Sequence, residues 1–222
     1  APLIRGVSRQ YFNGHDLILA PSIKASKNIS ESKTNTPIQL LHNGIDLDKI
    51  STISSQKFLK RYNLKQEHPL IVLVGTINKG KNVDLAIKAF PKVLKCFPDA
   101  KLAIIGDGAQ SKKMASLIKK LGLSSQIFIT GFLEYELVIS GTKASTIAIM
   151  ASDIDTFPTV AIEAIACGKT MVAIKDEAIT EIIKPGINGI LTNKNDDDFA
   201  KNIIKLLQDE ALRKRYQEAS LA

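Results

Sequence analysis

The sequence has 222 residues, 45% of them hydrophobic and 23% charged, a globular composition that excludes disordered chains, and no apolar run approaches the roughly 18 residues of a membrane span. Its net charge of +8 favours anionic partners, which include phosphorylated ligands, nucleic acid and acidic membrane surfaces. The two cysteines, Cys96 and Cys167, lie far apart, which excludes a disulfide framework and favours a reducing compartment.

The first fifty residues carry a weak alternation of strand and helix patterns. Leu17–Ala20 and Ile38–Leu41 predict strands, and Ile23–Ser32 predicts the helix between them. These segments form two αβ repeats, whose strands could belong to a sheet different from that of the later strands. Ser51–Ser55 follows them and is interpreted as a linker to the rest of the chain.

From residue 69 onward, short apolar runs alternate with segments of helical periodicity. Several runs are near-continuous, as expected for strands buried on both faces of a parallel sheet. The runs are Leu70–Val74, Leu102–Ile105, Ile127–Thr130, Ile147–Met150, Met171–Ile174 and Gly189–Leu191. The helical patterns lie over Val83–Leu94, Met114–Leu121 and Phe199–Leu207. This alternation predicts an α/β fold with a doubly wound parallel sheet and right-handed crossovers.

Glycine-containing loops follow the first two of these runs. Ligands of open parallel sheets bind outside the carboxyl ends of the strands, so these loops are candidate binding elements. Gly75–Asn82 is basic and opens a helix, and its backbone amides with Lys81 suit a diphosphate; a solvated turn is the alternative. The spacing of a P-loop is absent. Gly106-Asp107-Gly108 predicts a tight turn that permits close backbone approach.

The most informative segment follows the fourth run and spans residues 151–168. Pro158 suits the first position of a helix, and Gly168 suits its C-terminal stop. Glu163 is the one charged residue between them, and a buried carboxylate needs a hydrogen-bonding partner. With Asp155 in the preceding loop, it could accept hydrogen bonds from sugar hydroxyls. A purely structural pairing of Glu163 with a lysine is the alternative.

Asp153-Ile154-Asp155 permits a second interpretation of the same loop. Two carboxylates in an Asp-x-Asp pattern could hold Mg²⁺ or Mn²⁺ on a diphosphate. The all-parallel α/β alternation and the downstream glutamate helix fit that interpretation poorly.

With these residues in view, the chain resembles the C-terminal, donor-binding half of a family 4 retaining glycosyltransferase of the GT-B type, an architecture of two Rossmann-like domains. The resemblance runs through most of residues 37–217. Two matching motifs are Val74-Gly75 with Lys81, where the family has Gly-Arg…Lys-Gly, and Ser152…Asp155-Thr156-Phe157-Pro158…Glu163, where the family has Glu-x7-Glu. The other matching motifs are Asn43-Gly44-Ile45-Asp46, Gly106-Asp107-Gly108, Gly131-Phe132, and Glu181-Ile182-Ile183 with Gly186 and Gly189.

The resemblance implies roles for individual residues. Lys81 neutralises the donor diphosphate, Asp155 holds hexose hydroxyls, and Glu163 binds the ribose hydroxyls; these three form the implied catalytic set. The backbone near Phe132 and Leu133 contacts the base. The remaining implied donor-binding residues are Gly75, Thr76, Gly106, Thr156, Phe157, Pro158, Thr159 and Val160, of which Pro158 has no amide hydrogen to donate.

No metal or other cofactor is implied, because the basic loop and a helix N-terminus stabilise the departing nucleoside diphosphate. The substrate that the resemblance implies is a UDP- or GDP-linked sugar. Two residues depart from the family pattern. Thr76 replaces an arginine and Asp155 replaces a glutamate, which predicts weakened activity or an altered donor preference.

The resemblance also implies a domain organisation. Residues 1–36 fit a remnant of the acceptor-side N-terminal domain, and residues 37–222 fit the donor-binding domain, which ends before the usual crossover helix. His15, His42 and His68 match no family motif. We therefore expect a chain that binds donor but does not transfer sugar alone, since its glycan or lipid acceptor needs the missing domain.

Two other functions are compatible with parts of the sequence. One is a non-catalytic module that keeps this fold for protein assembly or nucleotide binding. The other is nucleic-acid binding through Lys112-Lys113 and Lys119-Lys120, but these lysines face away from the apolar side of their helix and no aromatic platform accompanies them. We expect no nucleic-acid partner. A cytoplasmic location is expected, with peripheral binding to the anionic inner face of the membrane as a further possibility.

Overall fold

A computed structural model describes residues 2–221, with side chains from residue 7 onward. Strands and helices alternate along it. The strands are β1 (Ile18–Ala20), β2 (Ile38–Leu40), β3 (Leu70–Val74), β4 (Lys101–Ile105), β5 (Ile127–Ile129), β6 (Ile147–Met150), β7 (Met171–Ile174) and β8 (Gly189–Thr192). The helices are α1 (Pro2–Phe12), α2 (Ile23–Ser30), α3 (Leu47–Thr52), α4 (Gln56–Arg61), α5 (Val83–Cys96), α6 (Ser111–Lys120), α7 (Tyr135–Ala144), α8 (Thr159–Ala166), α9 (Glu177–Ile182), α10 (Asp196–Gln208) and α11 (Glu210–Leu221).

The main sheet has six parallel strands in the order β5-β4-β3-β6-β7-β8. This is the doubly wound order, in which the direction of travel along the sheet reverses between β3 and β6. Four of the five β3 residues and all of β6 and β7 are buried, because helices cover both faces. The predicted fold class is therefore confirmed.

Two hydrophobic layers enclose the main sheet. On one face, α5 and α10 pack together around the fully buried Phe90 and Phe199. On the other face, α4 and α7 pack over β3 and β4, with Phe58 at the centre. The lysines at the two ends of α6 are exposed while its Met114 is buried, as predicted for a solvated face.

The first two strands form a separate parallel sheet, in which Ile18 pairs with Ile38 and Ala20 with Leu40. The arrangement in which the two αβ repeats form a sheet separate from the main one is thus confirmed. The domain boundary between residues 36 and 37 stays a prediction, and it falls between these two paired strands. No helix in residues 2–221 combines the length and the apolar character needed to cross a membrane.

Two local predictions are wrong. Ser51–Ser55 is not a free linker: α3 runs to Thr52, Ile53 is buried, and Lys143 on α7 donates hydrogen bonds to the carbonyl oxygens of Ser51 (3.0 Å) and Ile53 (2.9 Å). Pro158 is the N-cap of α8 rather than its first helical residue, since its ψ of 93° lies outside the helical region. Gly168 does end this helix, with a φ of +67°.

Candidate functional site

A cavity of about 110 Å³ opens at the carboxyl ends of β3 and β6, where the strand order reverses. This is the position at which open parallel sheets bind ligands. The residues that line it are Leu73, Val74, Gly75, Thr76, Lys81, Met150, Ala151, Ser152, Asp155, Phe157, Pro158, Thr159 and Val160.

The loop after β3 forms one wall of the cavity and packs directly on the loop after β4. The Gly75 amide donates a hydrogen bond to the Ile105 carbonyl (3.0 Å), and Ile77 is fully buried as an anchor. At Gly106 the backbones meet so closely that a Cβ atom would lie 2.0 Å from the Gly75 carbonyl oxygen. Position 106 therefore requires glycine. Gly106 does not line the cavity, but its close contact holds Gly75, which does.

Lys81 ends the same loop, and its ammonium forms an ion pair with the Asp155 carboxylate across the cavity. Asn82 fixes the backbone next to it. Its φ is +48°, and its side-chain amide donates to the carbonyl oxygens of Gly80 (3.1 Å) and Ala151 (2.9 Å) and to the Asp153 carboxylate (3.0 Å). Asn82 therefore ties the basic loop to the loop after β6, in the left-handed conformation that usually favours glycine.

The two carboxylates of Asp153-Ile154-Asp155 have different partners. Asp153 accepts hydrogen bonds from Lys194 (2.7 Å) and Asn82, and the bond from Lys194 chiefly lowers the pKa of Asp153 below its usual value. Asp155 pairs with Lys81 instead. Across the described residues, no group of three or more His, Cys, Asp or Glu side chains could hold a metal ion. The two carboxylates therefore have no partner in common, and the Asp-x-Asp interpretation stays a hypothesis.

The start of α8, together with the loop residue just before its N-cap, forms the opposite wall of the cavity. Phe157, Thr159 and Val160 line it, and no side-chain hydrogen bond caps the helix at Pro158. The first N–H groups of a helix have no partner within the helix and carry partial positive charge. This end of α8, with Lys81 opposite, is therefore suited to an anion.

Glu163 lies one turn further along α8, outside the cavity lining. Its carboxylate has no ion-pair or hydrogen-bond partner among the described side chains, so a structural pairing with a lysine is not what the structure shows. Partial burial raises the pKa of Glu163 above its usual value. Its charge in turn helps to raise the pKa of Tyr135, after the larger effect of that residue's own burial.

Besides Gly106 and Glu163, three predicted donor-binding residues lie outside the cavity lining. Phe132 is 81% exposed, whereas Leu133 is buried beneath it in the core around Phe58. Thr156 is exposed at the rim. The structure thus brings together Gly75, Thr76, Lys81, Asp155, Phe157, Pro158, Thr159 and Val160, and their roles, like those of the other predicted residues, stay predictions.

Sequence reasoning missed two sets of residues around this site. Ser152 lines the cavity with Met150 and Ala151; Ser152 was part of a matching motif, but none of the three was assigned a place in the site. The second set reaches the loop before α8 from the N-terminal segment and comprises Ser22, Lys24 and His42. No pattern along the chain links these residues to that loop.

The fold is the doubly wound, Rossmann-like parallel sheet of the GT-B class, with a cavity where the strand order reverses. Residues 54–221 match the family described as Glycosyl transferases group 1, and the chain belongs to that family. The resemblance to GT-B glycosyltransferases is thereby confirmed, while assignment to family 4 in particular stays a prediction.

Individual relatives agree with this assignment. An uncharacterised glycosyltransferase of Methanocaldococcus jannaschii is 32% identical over 219 residues, which cover 96% of this chain and 54% of that protein. The N-acetyl-alpha-D-glucosaminyl L-malate synthase of Bacillus anthracis is 27% identical over 187 residues, covering 84% of this chain and 48% of that protein. The chain thus spans about half the length of these curated relatives.

A solved structure shows the same fold. The crystal structure of Anabaena HepE in complex with UDP-glucose superposes with a TM-score of 0.88 at 20% identity, over 100% of this chain and 62% of that chain. At this identity the likeness concerns the fold.

Proposed function

We propose that this chain is the donor-binding half of a retaining glycosyltransferase, which transfers a hexose from a UDP- or GDP-linked sugar to an acceptor. The observation that carries the proposal is the cavity between β3 and β6, where Lys81, the uncapped end of α8 and Asp155 meet. At about 110 Å³ it is smaller than the roughly 300–1,000 Å³ of a complete ligand site. It would enclose the diphosphate, while base and ribose lie on the open rim.

The diphosphate lies between Lys81 and the first amides of α8. Both groups stabilise negative charge, which increases on the leaving nucleoside diphosphate as the sugar departs. Before donor binds, the Lys81 ammonium is held by Asp155. Donor binding then exchanges this carboxylate for phosphate oxygens and leaves Asp155 to accept hydrogen bonds from hexose hydroxyls. Before donor binds, the Asp155 carboxylate thus occupies the position beside Lys81 that the phosphate oxygens take in the complex.

Glu163 binds the ribose hydroxyls in this proposal. A carboxylate accepts hydrogen bonds from two neighbouring hydroxyls well, and Glu163 has no competing cation among the described residues. Because these bonds favour the charged form, ligand binding lowers the raised pKa of Glu163 and releases protons near that pKa. The backbone around the exposed Phe132 contacts the base.

The acceptor side belongs to the part of the relatives that this chain does not span, so we propose that the chain alone binds donor without transferring it. The acceptor is a glycan or a lipid, and the net charge of +8 favours peripheral contact with an anionic, cytoplasmic membrane face. Two departures, Thr76 for arginine beside the diphosphate and Asp155 for glutamate beside the hexose, weaken the activity or alter the donor preference.

Isothermal titration calorimetry with UDP, GDP and ADP, each with and without EDTA, tests the proposal. We expect UDP or GDP to bind and EDTA to leave the affinity unchanged. Lys81→Met should weaken binding roughly 10- to 100-fold, the effect of losing one charge-assisted contact. Lys79→Met is the matched control, since Lys79 is exposed and does not line the cavity. Absence of binding, or equal losses in the two variants, would contradict the proposal.

A further inference from the structure

Two side chains of the first turn of α2 contact consecutive carbonyl groups in the loop before α8. The Ser22 hydroxyl donates a hydrogen bond to the carbonyl oxygen of Thr156. The Lys24 ammonium lies 2.9 Å from the carbonyl oxygen of Asp155. The loop that carries the proposed sugar-binding carboxylate is thus held through its main chain by a segment more than 130 residues away.

The next residue of the loop is contacted from the segment after β2. The His42 ring stacks on Phe157 with 5.4 Å between the ring centroids and 24° between the planes. His42 Nδ1 lies 2.9 Å from the carbonyl oxygen of Pro21, next to the start of α2. Three consecutive loop residues, 155–157, therefore contact the same N-terminal segment.

Lys24 is anchored on its other side by α9 and the residue that caps it. Its ammonium forms an ion pair with Asp176 at 2.8 Å, and the two side chains are only 16% and 17% exposed. The Glu181 carboxylate accepts hydrogen bonds from the amides of Ile23 (3.0 Å) and Lys24 (3.4 Å), which caps the start of α2. This network fixes the Lys24 ammonium in one place, beside the Asp155 carbonyl.

We propose that Lys24 is a positioning residue of the donor site. By holding the Asp155 carbonyl, it keeps the Asp155 carboxylate towards Lys81 and keeps the start of α8 at the cavity wall, before any ligand binds. Preorganisation of this kind increases affinity because the loop has less freedom to lose on binding. The proposal rests on the proposed function for its effect on ligands, but its effect on the loop is independent of any ligand.

Lys24→Met removes the ammonium and keeps the apolar stem, and UDP and GDP titrations of the full chain measure the consequence. We expect about tenfold weaker binding of whichever nucleotide the unmodified chain binds. Lys24→Arg retains hydrogen-bond donors for both acceptors and should restore most of the affinity. Lys27→Met is the matched control: it removes the same charge from the same helix, and its pair with Glu177 is 62% exposed on both sides.

A ligand-free measurement separates this proposal from the proposed function. Backbone ¹⁵N order parameters of residues 155–157 should fall from about 0.85 to below about 0.6 in Lys24→Met and remain high in Lys27→Met. Unchanged order parameters in Lys24→Met, or equal losses of order or affinity in the two variants, would overturn the proposal. If the unmodified chain binds neither nucleotide, the proposed function fails, and the order parameters alone decide the role of Lys24.

Discussion

Two asparagines with nearly identical φ angles provide a sharp test of how the basic loop is held. Asn82 has a φ of +48° and Asn63 has a φ of +49°. Asn82 donates hydrogen bonds to Gly80, Ala151 and Asp153, whereas the side chain of Asn63 is exposed and has no hydrogen bond within residues 2–221. Replacing each by glycine keeps the left-handed backbone and removes the side chain alone.

The expected magnitude follows from these bonds. One side-chain amide has two hydrogens, so its three contacts amount to about two full hydrogen bonds, each with a net contribution of about 0.5–1.5 kcal/mol. Asn82→Gly should therefore lower the free energy of unfolding by about 2 kcal/mol. Asn63→Gly should change it by less than about 0.5 kcal/mol. Asn82→Ala should lose about 1 kcal/mol more than Asn82→Gly, because alanine is strained at this φ.

Urea unfolding measures both free energies, and UDP or GDP titration measures the effect on the site. Because Lys81 directly precedes Asn82, Asn82→Gly should also weaken nucleotide binding several-fold, whereas Asn63→Gly should not. Equal unfolding midpoints for the two glycine variants would show that the Asn82 contacts contribute nothing to stability, and the basic loop would then have to be held by other groups.

Three further variants probe the same region. Gly106→Ala should lower the free energy of unfolding by about 3 kcal/mol or more, because the new Cβ would lie 2.0 Å from the Gly75 carbonyl oxygen. Gly122→Ala is the control and should lower it by only about 1 kcal/mol, because Gly122 has a φ of +70° but open space around it. Equal urea midpoints of the two variants would contradict this. Glu163→Gln should weaken nucleotide binding roughly 5- to 30-fold in titration calorimetry. Glu163→Gln should also remove a pH dependence of stability. Because the pKa of Glu163 is raised in the folded state, Glu163 makes the chain lose stability as the pH rises from the ordinary glutamate pKa through the raised pKa. Thermal melts of Glu163→Gln that show the same pH dependence as those of the unmodified chain would refute this. Thr76→Arg should increase donor affinity about tenfold by adding a second cation at the diphosphate, and an unchanged titration would argue against a phosphate beside Thr76.

The main sheet could be predicted because each of its strands leaves a signal in a short, continuous stretch of sequence. Strands buried on both faces are short apolar runs, and each of the six predicted runs is a strand within one residue at each end. The ligand-binding edge followed from the same reasoning, since all parallel strands end on one side. The sequence alone therefore predicts that Gly75, Lys81 and Asp155 lie near each other.

What could not be predicted depends on short elements and distant contacts. The six-residue helices α3, α4 and α9 are too short to show a helical period, so the sequence predicts a linker where α3 ends. The shift of Pro158 from first helical residue to N-cap is a difference of one residue, which pattern reasoning does not resolve. The proximity of Lys81 and Asp155 followed from the sheet, but their direct ion pair did not, because it joins residues 74 apart and no periodicity encodes it.

The two-stranded sheet of β1 and β2 has a consequence for how the molecule fluctuates. With three residues in each strand, it cannot be stable alone, and it depends on the polar contacts that α2 makes with Glu181 and Asp176. We therefore expect residues 18–40 to open locally more often than the six-stranded core unfolds. Each such opening would release the contacts that hold residues 155–157 beside the cavity, while the six-stranded core stays folded.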